Sequence, residues 1–450
     1  MIDLDDETFQ KYKKLGRGSW GKDLIMWKTM YTGLLATAKE GLLTTTTQEE
    51  DITPFTEMML ESFLSIPRAR KEGIPVIMYP FNYEPALFFA MNLAPLMQEI
   101  ISVGLAFVHM NEPYIDFSNK MGYGDNPTIC NAQRPFLSLV MQGAAPKPDY
   151  LLYLSTPCNS LSMSYQVYQH LTKIPTFNID VPYWAYNQQD EFYDEKTMEY
   201  MINQSKNLIA WLEDKTGHNF EPEQFQKTMK LVNQAREYIL EFNELLKTVP
   251  CPMPSMAGFA NFYTMVTRSG SPEAVKTTKY IRDEAAQNAK NGIGGIEDEK
   301  LRIAWPYTHV FFDQELLPWL EQTHNAVVIM DLLGHYKVLP HDTSTTEKCF
   351  ESLAMGTLDA SMVGKCRGPM EYYVKYLVNY VKDYRIDAVI MPMHMACKHV
   401  YTMGMVASEA IREATGVPTL IFGCDSYDSR EVTSEELRQK ITEFITQVVI

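Results

Sequence analysis

The chain has 450 residues, of which 46% are hydrophobic and 21% charged, and its net charge is -16 at pH 7. That length suggests two or three domains at about 150 residues each, with ample apolar material for buried cores. An acidic chain without a basic stripe argues against a nucleic-acid partner. With no uncharged apolar run of about 18 residues, no membrane helix is expected. The start, MIDLDDETFQKYKK, lacks an apolar segment, so cytoplasmic residence is expected.

Residues 1–70 read as a helical N-terminal region, with TTTTQEED (Thr44 to Asp51) as a loop before a helix. The densest basic patch, IPRARKEGIP, reads as a solvated helix end. Past Gly73 the pattern changes. IPVIMYP (74–80) is a short apolar run and reads as a buried strand. A helical stretch follows from Glu84 to Ser102. VGLAFVHM (103–110), DYLLYLS (149–155) and IPTFNID (174–180) read as further strands. Strands alternating with helices predict a parallel sheet of βαβ units over 71–187. Residues 188–300 are rich in Glu, Gln, Lys, Asn and Leu at helical spacing and read as a helical insert or linker. From Leu301 the alternation resumes, with LRIAWP, NAVVIMD, DAVIMP and VPTLIFG as strands of a second α/β domain over 301–450. SEELRQKITEFITQVV closes the chain as an amphipathic helix that starts near Ser434.

One internal similarity bears on function. DYLLYLSTPCNS, a helix and KIPTFNID in the first half match DAVIMPMHMACKH, a helix and GVPTLIFGCD in the second. Both read Asp–strand–loop–Cys–helix–Pro–strand–Asp. Open α/β sheets bind ligands at the carboxyl ends of their strands, so Cys158 and Cys397 would face a shared cleft.

There are seven cysteines: Cys130, Cys158, Cys251, Cys349, Cys366, Cys397 and Cys424. An odd number at wide spacing favours free thiols, metal ligands or catalytic thiols over disulfides. Three sites are open on the residues alone. His394, Cys397 and His399 could hold zinc, but no second cluster completes the ligand set. Cys397 could be the nucleophile of a Cys–His hydrolase, although MACKH lacks the small residues of a nucleophile elbow. Finally, Cys130, Cys158 and Cys397 could place three thiolates at helix heads, the ligand set of a [4Fe–4S] cluster with one open iron. GRGSWG (16–21) matches GxGxxG but follows no buried strand, and no GxxxxGK[ST] occurs.

Three segments carry a resemblance: GYGDNPTICNAQR; DYLLYLSTPCNSLSMSY with IPTFNIDVPYW; and MPMHMACKHVYTMGMVASEAIREATGVPTLIFGCDSYDSRE. They resemble the 2-hydroxyacyl-CoA dehydratases and ATP-dependent benzoyl-CoA reductases. Asp425, Asp428 and Arg430 match that family's closing Asp-x-x-Asp-x-Arg. The resemblance implies two Rossmann-like parallel-sheet domains with a cluster between them, ligated by Cys130, Cys158 and Cys397. It also implies an acyl-CoA substrate, a related partner subunit in a heterodimer and a separate ATP-hydrolysing iron–sulfur activator. The implied chemistry is one-electron reduction of the thioester, leading to loss of a hydroxyl or to reduction of an aromatic ring. A cluster-bearing electron-transfer partner without a substrate pocket is a further possibility. Glu84 is a candidate acid/base by that match alone. His394 flanks a candidate ligand and is read as a catalytic hydrogen-bond donor or proton shuttle, with His399 as a second such candidate. The 27 methionines, dense around 391–405, suggest an adaptable wall for an acyl group.

Overall fold

The computed structural model describes residues 53–124, 129–156, 158–184 and 194–449. The readings of TTTTQEED and GRGSWG lie outside them. Helix α1 (Pro54–Glu72) starts where the Thr53 hydroxyl accepts the Thr56 N–H, and it ends at Gly73 with φ 71°. A side chain would strain that left-handed position. The basic patch sits at the end of α1, with Arg68 on Glu61 and Arg70 on Asp149.

The elements then run β1 (Val76–Tyr79), α2 (Ala86–Ala90), β2 (Ala94–Met97), α3 (Glu99–Phe107), α4 (Glu112–Ser118), α5 (Arg134–Met141), β3 (Tyr150–Leu154), α6 (Asn159–Thr172) and β4 (Thr176–Ile179). Four helices follow: α7 (Glu195–Thr216), α8 (Pro222–Leu245), α9 (Ala257–Arg268) and α10 (Pro272–Asn291). The second half contains β5 (Leu301–Trp305), α11 (Leu316–His324), β6 (Ala326–Asp331), α12 (Thr346–Leu358), α13 (Val363–Cys366), α14 (Met370–Asp383), β7 (Ala388–His394), α15 (Lys398–Thr415), β8 (Thr419–Cys424) and α16 (Ser434–Phe444).

Each half holds a four-stranded sheet, in the orders β2-β1-β3-β4 and β6-β5-β7-β8. Every pairing is parallel. The two orders are equivalent, so the repeat read from the sequence falls on matching strands, β3 with β7 and β4 with β8. The repeat's leading aspartates do matching work. Asp149 accepts the Val76 N–H at 2.8 Å and Asp387 accepts the Arg302 N–H at 2.8 Å, each pinning its strand to the start of the central one.

Two expectations fail here. VGLAFVHM is not a strand, because Glu99–Phe107 is helical and buried nearly all round. A short apolar run fits a buried helix as well as a buried strand. The stretch read as helix from Glu84 is interrupted by strand β2, APLM. At the C-terminus the cap is Thr433, one residue ahead of Ser434, in a reciprocal capping box with Glu436.

The helices of 195–291 are more than a linker. α8 packs against α2 of the first half and α12 of the second, and α9 touches both β2 and β6. One apolar core runs through both sheets and this helical layer. At its centre lies Glu84, only 5% exposed, against Arg236 of α8, which is fully buried. The Glu84 carboxylate lies 3.0 Å from the Arg236 guanidinium. It also accepts hydrogen bonds from the hydroxyls of Ser269 and Tyr336. Arg236 donates onward to Ser352 Oγ at 3.0 Å. Glu84, expected as an acid/base, is thus held in a buried ion-pair network and does not line the cavity of the three cysteines.

Removing one member of a buried pair leaves an uncompensated charge. Glu84→Ala or Arg236→Ala should therefore cost about 3–5 kcal/mol in urea unfolding. Lys276→Ala, which breaks the exposed pair with Glu57, should cost less than about 1 kcal/mol.

Candidate functional site

Cys130, Cys158 and Cys397 line one cavity of about 110 Å³. Sheet direction explains this. β3 and β7 both run toward the cleft, and each hands its chain to a helix through a short loop. Cys158 caps α6, where its Sγ accepts the Leu161 N–H at 3.3 Å. Cys397 holds the equivalent position ahead of α15. Cys130 arrives from a loop, and its N–H donates to Ser160 Oγ in the first turn of α6 at 2.7 Å. Cys130 is not at a helix head, as expected, but one turn before it: its carbonyl accepts the N–H groups of Gln133 and Arg134. Arg134 is spent on the loop as well, donating to the Ile129 and Gly124 carbonyls and to Asn119.

Burial pushes the Cys158 thiol well up, and the Cys130 thiol adds to this, while the Leu161 N–H opposes. Burial also raises Cys397, against the Val400 N–H and the Tyr307 hydroxyl. The helix heads therefore pull in the expected direction, but desolvation outweighs them.

His394, the last residue of β7, is 4% exposed. Its Nδ1 accepts the Ser426 N–H at 3.2 Å and lies 3.6 Å from the Asp425 carboxylate. An accepting Nδ1 puts the proton of the neutral ring on Nε2. Nε2 is buried with no hydrogen-bond partner among the described residues. Burial pulls the pKa of His394 down, but Asp425 and then the Cys130 thiol more than offset it, and the net shift is upward. Asp425 also accepts Asn131 Nδ2 at 3.0 Å and the N–H groups of Tyr427 and Asp428. Asn131–Asp425–His394 is thus a polar bridge across the cleft beside Cys130. Asp428 holds Arg430 by two contacts of 2.8 and 2.7 Å, and Arg430 reaches Asp116 of α4 at 2.8 Å. The Asp-x-x-Asp-x-Arg motif therefore clamps the two halves together at the cleft.

Glu99 also lines the cavity. One carboxylate oxygen accepts the Phe81 N–H and the other accepts Gln133 Nε2, both at 3.0 Å. Burial pushes its pKa up to about 7 against those two donors. No Lys or Arg pairs with it among the described residues. Most of the remaining wall is apolar, with Gln133, Asn159, Ser160, Thr308 and Lys398 among its polar members. The apolar part is built of Phe81, Phe259, Phe262 and Phe311 with Ile100 and Val103. His399 lines the cavity as well, its pKa lowered by burial and by Lys398. None of the methionines at 391–405 does so; the wall expected of them is made of phenylalanine. A roomier hollow of about 770 Å³, between α8 and α14, contains no cysteine.

Among the described residues, no three His, Cys, Asp or Glu side chains gather tightly enough to hold one metal ion. A single zinc needs such a gathering. A multi-iron cluster asks for something different, because each thiolate binds its own iron and the ligands stand further apart. Three thiols from separate segments on one cavity suit that donor set, and the orphaned Nε2 of His394 would give it a hydrogen-bond donor.

The family described as "2-hydroxyglutaryl-CoA dehydratase, D-component" matches residues 81–448. The chain belongs to this family. It is 22% identical over 398 residues to the (R)-2-hydroxyisocaproyl-CoA dehydratase alpha subunit of Clostridioides difficile, covering 86% of this chain and 93% of that one. It is 21% identical to the (R)-phenyllactyl-CoA dehydratase alpha subunit of Clostridium sporogenes, over 83% and 89% of the two chains. A benzoyl-CoA reductase subunit of Thauera aromatica is 21% identical, over 67% of this chain and 71% of that one.

Glu99 escaped the sequence reading for a definable reason. It follows β2, the strand hidden in a stretch read as helix, so its place at a strand's carboxyl end was invisible. Among the described residues no helix is long and apolar enough to cross a membrane.

The pKa of Glu99 gives a sign-definite prediction. A carboxyl raised in the folded state favours folding while protonated, and that advantage is lost as pH rises from the ordinary carboxylate range through about 7. Metal-free wild type should therefore lose stability relative to Glu99→Gln between roughly pH 4.5 and 7, on the order of 3 kcal/mol, and level off above. Urea unfolding at pH 5, 7 and 8 measures it.

Proposed function

We propose that this chain is the cluster-bearing subunit of an iron–sulfur 2-hydroxyacyl-CoA dehydratase. The observation that carries this reading is the convergence of Cys130, Cys158 and Cys397 on one buried cavity at the strand ends of both sheets. Family membership supports the reaction class, and the relatives' names supply the thioester substrate. The net reaction removes the hydroxyl from C2 and a hydrogen from C3 of the acyl group, giving an enoyl thioester and water.

Cys130, Cys158 and Cys397 would hold a [4Fe–4S] cluster. When bound, it supplies single-electron reducing power and a Lewis-acidic iron. The chain's own residues do the rest. The Nε2–H of His394 offers a donor on the Cys130 side, and Asp425 and the Ser426 N–H fix the ring. Donors held in place before the reaction cost no reorganisation when charge develops, and they act most strongly where water is excluded. The phenylalanine wall disfavours water on its side of the cavity. Glu99, poised near neutral pH, is placed to exchange a proton with the substrate.

The relatives named as alpha subunits, and the reductase relative, itself named as one subunit, support a second, related subunit beside this one. A separate ATP-hydrolysing iron–sulfur activator, implied by the family resemblance, would deliver the electron. The second reading is reduction of an aromatic acyl-CoA; the benzoyl-CoA reductase relative and the aromatic wall favour it. The phenylalanine side chains that line the cavity beside the cysteines favour a subunit that binds substrate over a pure electron carrier.

Anaerobic purification with iron and sulfide counts tests the proposal. Wild type should carry about four of each. Cys130→Ala, Cys158→Ala and Cys397→Ala should each lose most of both, whereas Cys349→Ala, at a buried cysteine elsewhere, should lose neither. Zinc in place of iron, or full iron in all three variants, would refute it.

A further inference from the structure

The two halves treat their equivalent cysteines differently. Cys158 and Cys397 follow β3 and β7, which hold the same place in their sheets. Each sulfur takes an N–H from its own helix three residues on, Cys158 from Leu161 and Cys397 from Val400. The neighbouring strands, β1 and β5, also end alike, in an aromatic residue, a proline and a second aromatic residue. These are Tyr79-Pro80-Phe81 and Trp305-Pro306-Tyr307. The last position is where the halves part. Phe81 has no polar side-chain atom, and Tyr307 has a hydroxyl.

That hydroxyl faces two acceptors. It donates to the His394 carbonyl at 3.1 Å, and the Cys397 sulfur lies within its hydrogen-bond reach. The carbonyl has a second donor, the Cys397 N–H at 2.9 Å, so it stays satisfied without the phenol. A thiolate on iron carries charge and the carbonyl does not, and hydrogen bonds to charged acceptors are roughly twice as strong as neutral ones. Tyr307 is 1% exposed and does not line the cavity. It therefore meets the sulfur from the protein side, where no substrate competes. Its carbonyl accepts the Leu332 N–H at 3.2 Å, which anchors the residue to the chain leaving β6. Burial, and then the Cys397 thiol, push its pKa up, so the phenol keeps its proton.

We propose that the Tyr307 hydroxyl donates a hydrogen bond to the iron-bound Cys397 sulfur and thereby raises the reduction potential of the cluster, an inference that rests on the cluster reading above. An added electron puts negative charge on the thiolates in a largely apolar space, and buried charge is costly without partners. A donor fixed at one sulfur offsets part of that cost. It does so more in the reduced state, which is the more negative of the two. Tyr307 acts on the cluster through Cys397 and touches no substrate, so it is a positioning residue. Phe81 fills the matching place in the first half, so the extra donor serves Cys397 and not Cys158. Tyr307→Phe would give the second half the arrangement of the first.

The test is protein-film voltammetry of the anaerobically purified protein, with iron counted in every variant. Tyr307→Phe should keep about four irons. At a fixed electrode potential its ratio of reduced to oxidised cluster should fall roughly tenfold, a shift of about 59 mV in the negative direction for a one-electron couple. Tyr373→Phe is the control. Tyr373 is also 1% exposed, and its hydroxyl donates to the Pro306 carbonyl at 2.7 Å. Its loss should leave the potential where it was. Replacing Tyr307 by 3-fluorotyrosine keeps the fold contacts and makes the hydroxyl a stronger donor, so the potential should move in the positive direction. That variant decides the matter if Tyr307→Phe fails to hold iron. An unchanged potential in Tyr307→Phe at full iron, or in the fluorotyrosine variant, would overturn the inference and leave the cluster reading standing. So would an equal shift in Tyr373→Phe, because the loss of any buried hydroxyl would then suffice. A wild type without iron would overturn the cluster reading itself, and this inference with it.

Discussion

The buried ion pair between Arg236 and Glu84 ties the three parts of the molecule together. Glu84 follows β1 of the first sheet, Arg236 stands on the helical layer, and Tyr336 and Ser352 of the second half complete the hydrogen bonding. Such a pair is poor as a source of net stability, because desolvation consumes most of the attraction. It is strong as a constraint, because any arrangement that separates its members strands a charge in the core. Here it fixes how the helical layer seats both sheets. In that seating Cys158, after β3, and Cys397, after β7, line one cavity.

The site depends on that orientation because none of its parts suffices alone. Cys130 and Cys158 belong to the first half and Cys397 to the second. The polar bridge from Asn131 through Asp425 to His394 crosses the same cleft. A bridge of this kind is satisfied only when both halves are in register. The exposed Arg430 ties Asp428 to Asp116 on the rim and adds little energy by itself. Together these contacts shape a largely apolar space lined by the three thiols. Low polarity there strengthens each fixed donor and penalises any charge that lacks a partner.

Much of this was legible in the sequence, and what was not has a physical cause. Seven of the eight strands are short apolar runs bounded by turns, and they stand where the alternation of elements puts them. The internal repeat located Cys158 and Cys397 because period and punctuation survive in sequence even when side chains diverge. β2 was not legible, since APLM sits inside an apolar stretch that suits either element. Losing β2 also lost Glu99, whose significance lies wholly in its position at a strand end. Glu84 went the other way. Its neighbourhood matched a family pattern, but its partner lies 152 residues away on α8, and no local signal reveals a buried pair of such separation. The aromatic wall was hidden for the same reason, being assembled from α9 and two loops.

The central claim is that Cys130, Cys158 and Cys397 together ligate one iron–sulfur cluster at the junction of the two sheets. Anomalous scattering at the iron edge, from crystals of the anaerobically purified protein, addresses it most directly. A single compact group of iron peaks within bonding reach of all three sulfurs is the predicted result. Iron bound at other cysteines, or no iron between these three in crystals whose protein carries the metal, would contradict it.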